Sequence, residues 1–312
     1  MINIFLICQM DYKFFLIPLV SIIFISIMMN SSLLQENIDE VPGKINKSNY
    51  DVFSIDLPRS IEFSGEKISL NENDLKERLD RELLVNVYWQ SNMFLMIKRS
   101  NKYFPIIEKI LKEEGIPDDF KYLAVIESGL QNVRSPKGAK GIWQIMYNTG
   151  RELGLEVNSN VDERYNLELS TRAACKYLMK AKEKLGSWTL AAASYNRGIS
   201  GIRRKLADQQ VDNYYDLLLG TETKRYMFRV LAMKMILTDP SNYGYNYYEK
   251  DLYKFEKVKN FKVDTAITNL ARFSKQMGIN YKILKIHNPW LIQNHLNNKS
   301  RKLYNIKIPD LN

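Results

Sequence analysis

Residues 120–130 read Phe-Lys-Tyr-Leu-Ala-Val-Ile-Glu-Ser-Gly-Leu, and this run decides how the chain is understood. Phe120, Leu123, Ala124 and Glu127 follow the i, i+3, i+4, i+7 spacing of one helix face, which puts a carboxylate on an apolar stripe. Asp118 or Asp119 is placed to cap this helix and Ser128-Gly129 to end it. A carboxyl group taken out of water resists ionisation, so its pKa moves toward neutrality, where a general acid works. The same pattern also fits a plainer arrangement, a Glu at the edge of the stripe paired with a Lys.

Outward from this run, helical signals hold from about Glu72 to Tyr243. Asn73 or Asp74 is expected to cap a helix with Leu75, Leu79, Leu83 and Val87 on one face. A second helix is expected from near Asn101 to Gly115. Ser170 is expected to cap a helix over Thr171–Leu185 that stops at Gly186. Ala-rich Trp188–Tyr195 has the composition of a closely packed helix, and Glu222–Leu237 is amphipathic up to Asp239-Pro240. The pattern then changes. Tyr253–Val263 alternates as a strand does, Ile267–Gln276 and Tyr281–His287 are helical with Gly278 between them, and Leu303–Ile308 alternates again. The expected class is mainly α, a helical domain over 70–245 followed by a small α+β module, strand-helix-helix-strand, over 246–312.

The N-terminus carries an address. Phe14–Met29 is sixteen residues without a charge, preceded by Lys13, which fits a secretory signal or an uncleaved anchor within 1–30. Polar residues 31–69, with scattered Pro, Gly and Asn and no sustained period, read as a linker. An exported protein of the cell envelope or periplasm is expected. The net charge of +10 is concentrated at the end: from Tyr245 to Asn312 there are 13 Lys or Arg against 5 Asp or Glu. Such a surplus suits an anionic envelope surface, and no nucleic-acid motif accompanies it. Cys8 and Cys175 make no disulfide framework, and two His with one Cys in the body argue against structural zinc.

Beyond Glu127 comes Ser135-Pro136-Lys137-Gly138-Ala139-Lys140-Gly141-Ile142-Trp143-Gln144-Ile145-Met146. Gly138 and Gly141 permit close backbone approach, and Gln144 offers an amide to sugar hydroxyl or acetamido groups beside apolar surface. Alone, this run fits better a turn leading into an ordinary helix. Taken in order, however, Glu127-Ser128, Gly141-Ile142-Trp143-Gln144, Ser194-Tyr195-Asn196 and Glu222-Thr223 with Tyr226 resemble the motifs of soluble-lytic-transglycosylase (SLT) domains. Within that family they are most similar to the membrane-bound lytic transglycosylase D group. Val161-Asp162-Glu163-Arg164 and Ser170-Thr171-Arg172-Ala173-Ala174 resemble further signatures of that group.

The resemblance implies a lysozyme-like helical domain with a saccharide groove between two lobes. It implies Glu127 as catalytic acid/base, and Ser128, Gln144, Tyr195, Asn196 and Tyr226 as substrate contacts. Ser135 and Met146 belong to the same set, although the loop from Ser128 to Ser135 is about one residue short and the usual Ala-Tyr-Asn is Ser194-Tyr195-Asn196. The implied substrate is peptidoglycan glycan, cut by a monomeric enzyme without metal or cofactor. Most glycosidases flank the scissile bond with two carboxylates. The strongest second candidates are Asp162 and Glu163, yet their Asp-Glu-Arg run reads more simply as a structural ion-pair cluster. A single carboxylate suits a substrate-assisted reaction ending in 1,6-anhydroMurNAc. The rivals are a hydrolytic goose-type lysozyme and a non-catalytic peptidoglycan-binding protein. The tail resembles a degenerate LysM module through Asn269-Leu270-Ala271, Gly278-Ile279 and Asn288-Pro289-Trp290-Leu291, which implies binding of N-acetylglucosamine polymers.

Overall fold

A computed structural model describes residues 52–310. The apolar stretch Phe14–Met29 and residues 31–51 of the expected linker lie outside the described residues. From Ser54 onward the chain forms one contiguous unit.

It begins with a hairpin where the sequence reading placed linker. Strands β1 (Ser60–Phe63) and β2 (Glu66–Ser69) pair antiparallel, with Phe63 opposite Glu66. Ser64 and Gly65 turn the chain with positive φ at both positions, the geometry that matches strand twist in a two-residue hairpin. The reading of 31–69 as linker is therefore corrected for 60–69. Phe63 and Ile68 are buried, and the Phe63 ring meets Phe120 edge-on at 5.3 Å. Burial of a side chain of this size contributes roughly 1.5–3 kcal/mol. Four-residue strands are too short for their period to show in sequence.

Ten α-helices follow among the described residues. Helix α1 (Asn73–Tyr88) buries Leu75, Leu79, Leu83 and Val87 as its spacing predicts, although Glu72 occupies the cap position and makes no side-chain bond there. Helix α2 (Gln90–Glu113) starts eleven residues before Asn101. Pro105 explains the misplaced start, because proline fits a first helical turn and lies here in the helix interior. The apolar spacing of Met93, Met96 and Ile97 continues the helix upstream of Asn101. Asp118–Phe120 forms a single 3-10 turn leading into α3 (Lys121–Ser128), which ends at Gly129 in the left-handed conformation. After α4 (Tyr147–Glu152), helix α5 (Leu167–Leu185) begins one turn before the expected start. Its cap is Asn166, whose side chain accepts from the Leu169 amide, while Ser170 lies buried inside the helix.

Helices α6 (Trp188–Arg197), α7 (Ile199–Gln209) and α8 (Thr221–Thr238) complete this part. α8 is buried on nearly every side, through Tyr226, Met227, Phe228, Val230, Leu231, Ala232 and Met233, and packs against α1, α3 and α6. A helix apolar all round belongs in the centre of a domain. Residues 240–255 then return over α1 and α2. The Tyr245 hydroxyl donates to the Val87 carbonyl at 2.6 Å, and Phe255 meets Tyr103 edge-on.

The tail has the expected order of elements: β3 (Val258–Val263), α9 (Leu270–Gln276), α10 (Tyr281–His287) and β4 (Tyr304–Pro309). β3 and β4 pair antiparallel, from Val258 opposite Pro309 to Val263 opposite Tyr304. Asn269 and Asn280 cap the two helices. The strand is shorter than the alternation from Tyr253, because residues before Val258 lie against α2 instead. The tail core of Leu270, Phe273, Leu284, Trp290, Leu291, Tyr304 and Ile306 also takes in Val161, fully buried, from the helical domain. Among the described residues no helix is long and apolar enough to cross a membrane.

Candidate active site

Glu127 is in the last turn of α3, and the helix is fixed from behind by the hairpin. The Ser64 amide donates to Asp119 Oδ2 at 2.6 Å, and Lys234 of α8 holds the same carboxylate at 2.7 Å while donating to the Glu62 carbonyl. Tyr122, Leu123, Ala124 and Val125 are buried, so the helix cannot turn its carboxylate outward without exposing them.

The Glu127 carboxyl is pushed up to about 7, chiefly by burial. The Tyr226 hydroxyl donates to Glu127 Oε1 at 2.6 Å and works against the rise, as does the nearby Arg229 guanidinium. Glu222, on the first turn of α8, adds to the rise by repulsion. Burial, reinforced by Glu127, holds the Tyr226 phenol well above its ordinary value, so it remains a donor. The result is a carboxyl poised between its two protonation states near neutrality.

The glycine-rich loop is tied to the end of α3. Ser128 Oγ donates to the Ile142 carbonyl at 2.7 Å, tying the end of α3 to the loop. Tyr195 of α6 donates from its hydroxyl to the Trp143 carbonyl at 2.8 Å, and Glu127 helps burial raise that phenol's pKa. The buried Trp143 indole donates to Thr171 Oγ1 at 2.8 Å. Gln144, between these anchors, has φ of +47°, a conformation unusual for a side-chain-bearing residue and often found where function holds strain. Its amide nitrogen donates to the Gly141 and Val133 carbonyls, leaving its carbonyl oxygen for an outside donor.

Asn196 donates to Glu222 Oε1 at 3.0 Å and accepts from Thr223 Oγ1 at 2.8 Å, which joins the end of α6 to the start of α8. Ser135 has its hydroxyl engaged by the Ala139 amide, closing the turn at 135–139. Met146 is 45% exposed just before α4, and no hydrogen bond ties it to Glu127. Tyr226 thus touches Glu127 directly; Ser128, Gln144 and Tyr195 join it through the loop, and Asn196 through α8.

Several groups at the site went unread in the sequence. A groove of about 350 Å³ beside Glu127 is lined by Trp89, Asn92, Met96, Gln131 and Arg229. Trp89 is 59% exposed at the junction of α1 and α2. Arg225 also borders the groove but is held bidentately by the buried Glu82 carboxylate. Glu222 was read only as part of a motif, yet it is the acidic residue whose field reaches Glu127. Asp162 and Glu163, the strongest candidates for a second carboxylate, are buried in ion pairs, the plainer role that their Asp-Glu-Arg run suggested. Asp162 binds Arg164 at 2.8 Å and Lys140 at 3.0 Å, and Glu163 binds Lys302 of the tail at 2.6 Å.

Two family models match parts of the chain. The family described as Transglycosylase SLT domain matches residues 104–217, and that described as Soluble lytic transglycosylase C-terminal LysM-like domain matches 259–312. Membrane-bound lytic murein transglycosylase D of Escherichia coli strain K12 is 30% identical over 184 residues, which are 57% of this chain and 40% of the relative. The same figures hold for the protein of that name from E. coli O6:H1. The chain thus spans 40% of the length of these curated relatives. An inactive mutant of lytic transglycosylase Slt from Pseudomonas aeruginosa is 21% identical, with TM-score 0.34, covering 45% of this chain and 24% of that one. The helical part of the chain is thus similar to transglycosylase SLT domains and the tail to the C-terminal LysM-like domain of soluble lytic transglycosylases.

Proposed function

We propose that this protein is a peptidoglycan lytic transglycosylase that cleaves the β-1,4 bond between MurNAc and GlcNAc, with Glu127 as its single acid/base. The observation that carries this reading is a carboxyl pushed up to about 7, bonded to Tyr226, beside a strained loop and an open groove. Protonated Glu127 gives its proton to the glycosidic oxygen as the C1–O bond breaks. The MurNAc acetamido group supports the positive charge at C1. Glu127, now ionised, removes the proton from the MurNAc 6-hydroxyl, and O6 closes onto C1. The 1,6-anhydro end forms without water, and Glu127 is protonated again for the next cycle. Tyr226 steadies the ionised form between the two proton transfers. Gln144, Tyr195, Asn196, Ser128, Ser135 and Met146 form or support the wall that holds the glycan.

The apolar stretch Phe14–Met29 supports export to the cell envelope, where peptidoglycan lies. The basic LysM-like tail supports a second contact with the wall.

Glu222 favours one alternative, hydrolysis in the manner of a goose-type lysozyme, with Glu222 holding the attacking water. Digestion of purified sacculi in isotopically labelled water, followed by mass spectrometry, separates the two. Transglycosylation gives unlabelled anhydro ends, and Glu222→Gln retains them. Labelled reducing ends, lost in Glu222→Gln, would replace this proposal with hydrolysis.

A further inference from the structure

The tail does not hang from the helical domain; it grips one segment of it, residues 156–166. Val161 pairs with Leu291, and its side chain lies in the tail core. The Asp162 amide donates to the Trp290 carbonyl at 2.9 Å and the Ile292 amide to the Asn160 carbonyl at 3.0 Å. The Asn160 side chain donates to the His295 carbonyl and accepts from the Asn297 amide. Lys302 bridges Glu163 at 2.6 Å and Glu156 at 2.8 Å.

The other face of the same segment holds the glycine-rich loop. Arg164 donates to the Ile145 carbonyl at 3.2 Å and the Gly138 carbonyl at 3.4 Å. Lys140 reaches Asp162 at 3.0 Å. The Arg164 carbonyl oxygen lies so close to Gly141 that any Cβ there would collide with it. These contacts set the backbone on both sides of Gln144. Asp162 accepts from Lys140 and Arg164 while its amide is held by Trp290, so one residue faces the loop and the tail together.

We propose that the LysM-like module is a fixed buttress of the active site, and that Lys302, through Glu163 and the 156–166 segment, is a positioning residue for the loop bearing Gln144. The proposal rests on the functional reading above. It means the tail contributes to turnover on glycans too short to reach any binding face of its own, which a tether does not do. Because small displacements of catalytic walls cost rate out of proportion to their size, a loosened segment slows the chemical step.

The test uses the full chain with Lys302→Met, Lys302→Arg and Lys307→Met, the last removing a tail contact to Glu168 that bypasses the segment. Kinetics on short soluble glycan strands are paired with hydrogen exchange at the amides of Lys140, Gly141 and Ile145, all bonded within the loop. Lys302→Met is expected to lower kcat about tenfold with KM within about twofold, and to speed exchange at all three amides. Lys302→Arg is expected to restore both, and Lys307→Met to leave both near wild type. If Lys302→Met does not accumulate as folded protein, Asn160→Ala carries the same expectation. Unchanged turnover and exchange in Lys302→Met, or equal losses in Lys302→Met and Lys307→Met, would overturn the proposal. A wild type that makes no anhydro ends would sink the functional reading instead, and the exchange measurement would still decide whether the tail holds the loop.

Discussion

Two acidic residues drawn largely out of water, thirty-five positions apart in the sequence, have opposite chemistry. Burial works to raise the pKa of both Glu127 and Asp162. At Asp162 hydrogen bonds from Arg164 and Lys140 outweigh it and hold the carboxyl below its ordinary value. At Glu127 the strongest opposing contact is a neutral phenol, and the carboxyl stays up at about 7. Burial alone therefore does not make a catalytic acid. A buried carboxylate bonded to two cations organises structure, whereas one bonded to a hydroxyl and set beside a groove can exchange a proton.

Glu127→Gln tests this contrast at its strongest. The amide keeps the shape but can neither give nor recover a proton, so turnover should fall by about 10²–10⁴-fold while the melting temperature stays close to wild type. Release of muropeptides at more than a few per cent of the wild-type rate would break the single-carboxylate mechanism.

Asp162→Asn should act on stability before chemistry. It strips a full charge from a pair in which both side chains are almost wholly buried, leaving Arg164 without its main partner. Breaking such a pair costs about 3–5 kcal/mol, read as a drop in melting temperature, with the product's end group unchanged. The depressed Asp162 pKa means its stabilisation is complete above the ordinary Asp value of about 3.9 and is lost as pH falls through the lower folded value. Glu156 shifts the same way: burial raises it, but bonds from Lys302 and Tyr304 hold it down. Wild type should accordingly lose stability on acidification more steeply than Asp162→Asn. An equally steep loss in both would remove Asp162 from the account.

Tyr226→Phe has the smallest expected effect and sharpens the other side of the contrast. Glu127 must start protonated, so activity should decline as pH rises through about 7. The Tyr226 bond favours the ionised form, so its removal should raise the Glu127 pKa and move this decline to higher pH. The plateau rate should fall about tenfold, since a hydrogen bond to a charged group contributes about 1.5 kcal/mol. A decline at unchanged or lower pH would show that Tyr226 does not tune Glu127.

Much of this was legible without coordinates, for identifiable reasons. Leu75, Leu79, Leu83 and Val87, and likewise Phe120 to Glu127, declare their helices because one buried face imposes a period. Gly129, Gly186 and Gly278 mark stops because each takes a positive φ. Of the motif residues, Tyr226 bonds Glu127, and Ser128 and Tyr195 tie the glycine-rich loop beside it, whereas Trp89 and Arg229 at the groove belong to none of the motifs. The hairpin at 60–69 escaped notice because its strands are too short to show alternation. The upstream half of α2 escaped because Pro105 in its interior reads as a helix start.

By itself, then, the sequence determined the helical class, the placing of the Glu127 carboxylate on an apolar helix stripe and the strand-helix-helix-strand tail, since each is written in local period or turn chemistry. Only the tertiary structure decided which carboxylates are neutralised and which are poised. That depends on Tyr226 lying ninety-nine positions from Glu127, and Lys302 lying 139 positions from Glu163. It also decided that Val161 completes the tail core, because the occupant of a shared apolar core is fixed by which surfaces meet, and no local pattern encodes that meeting.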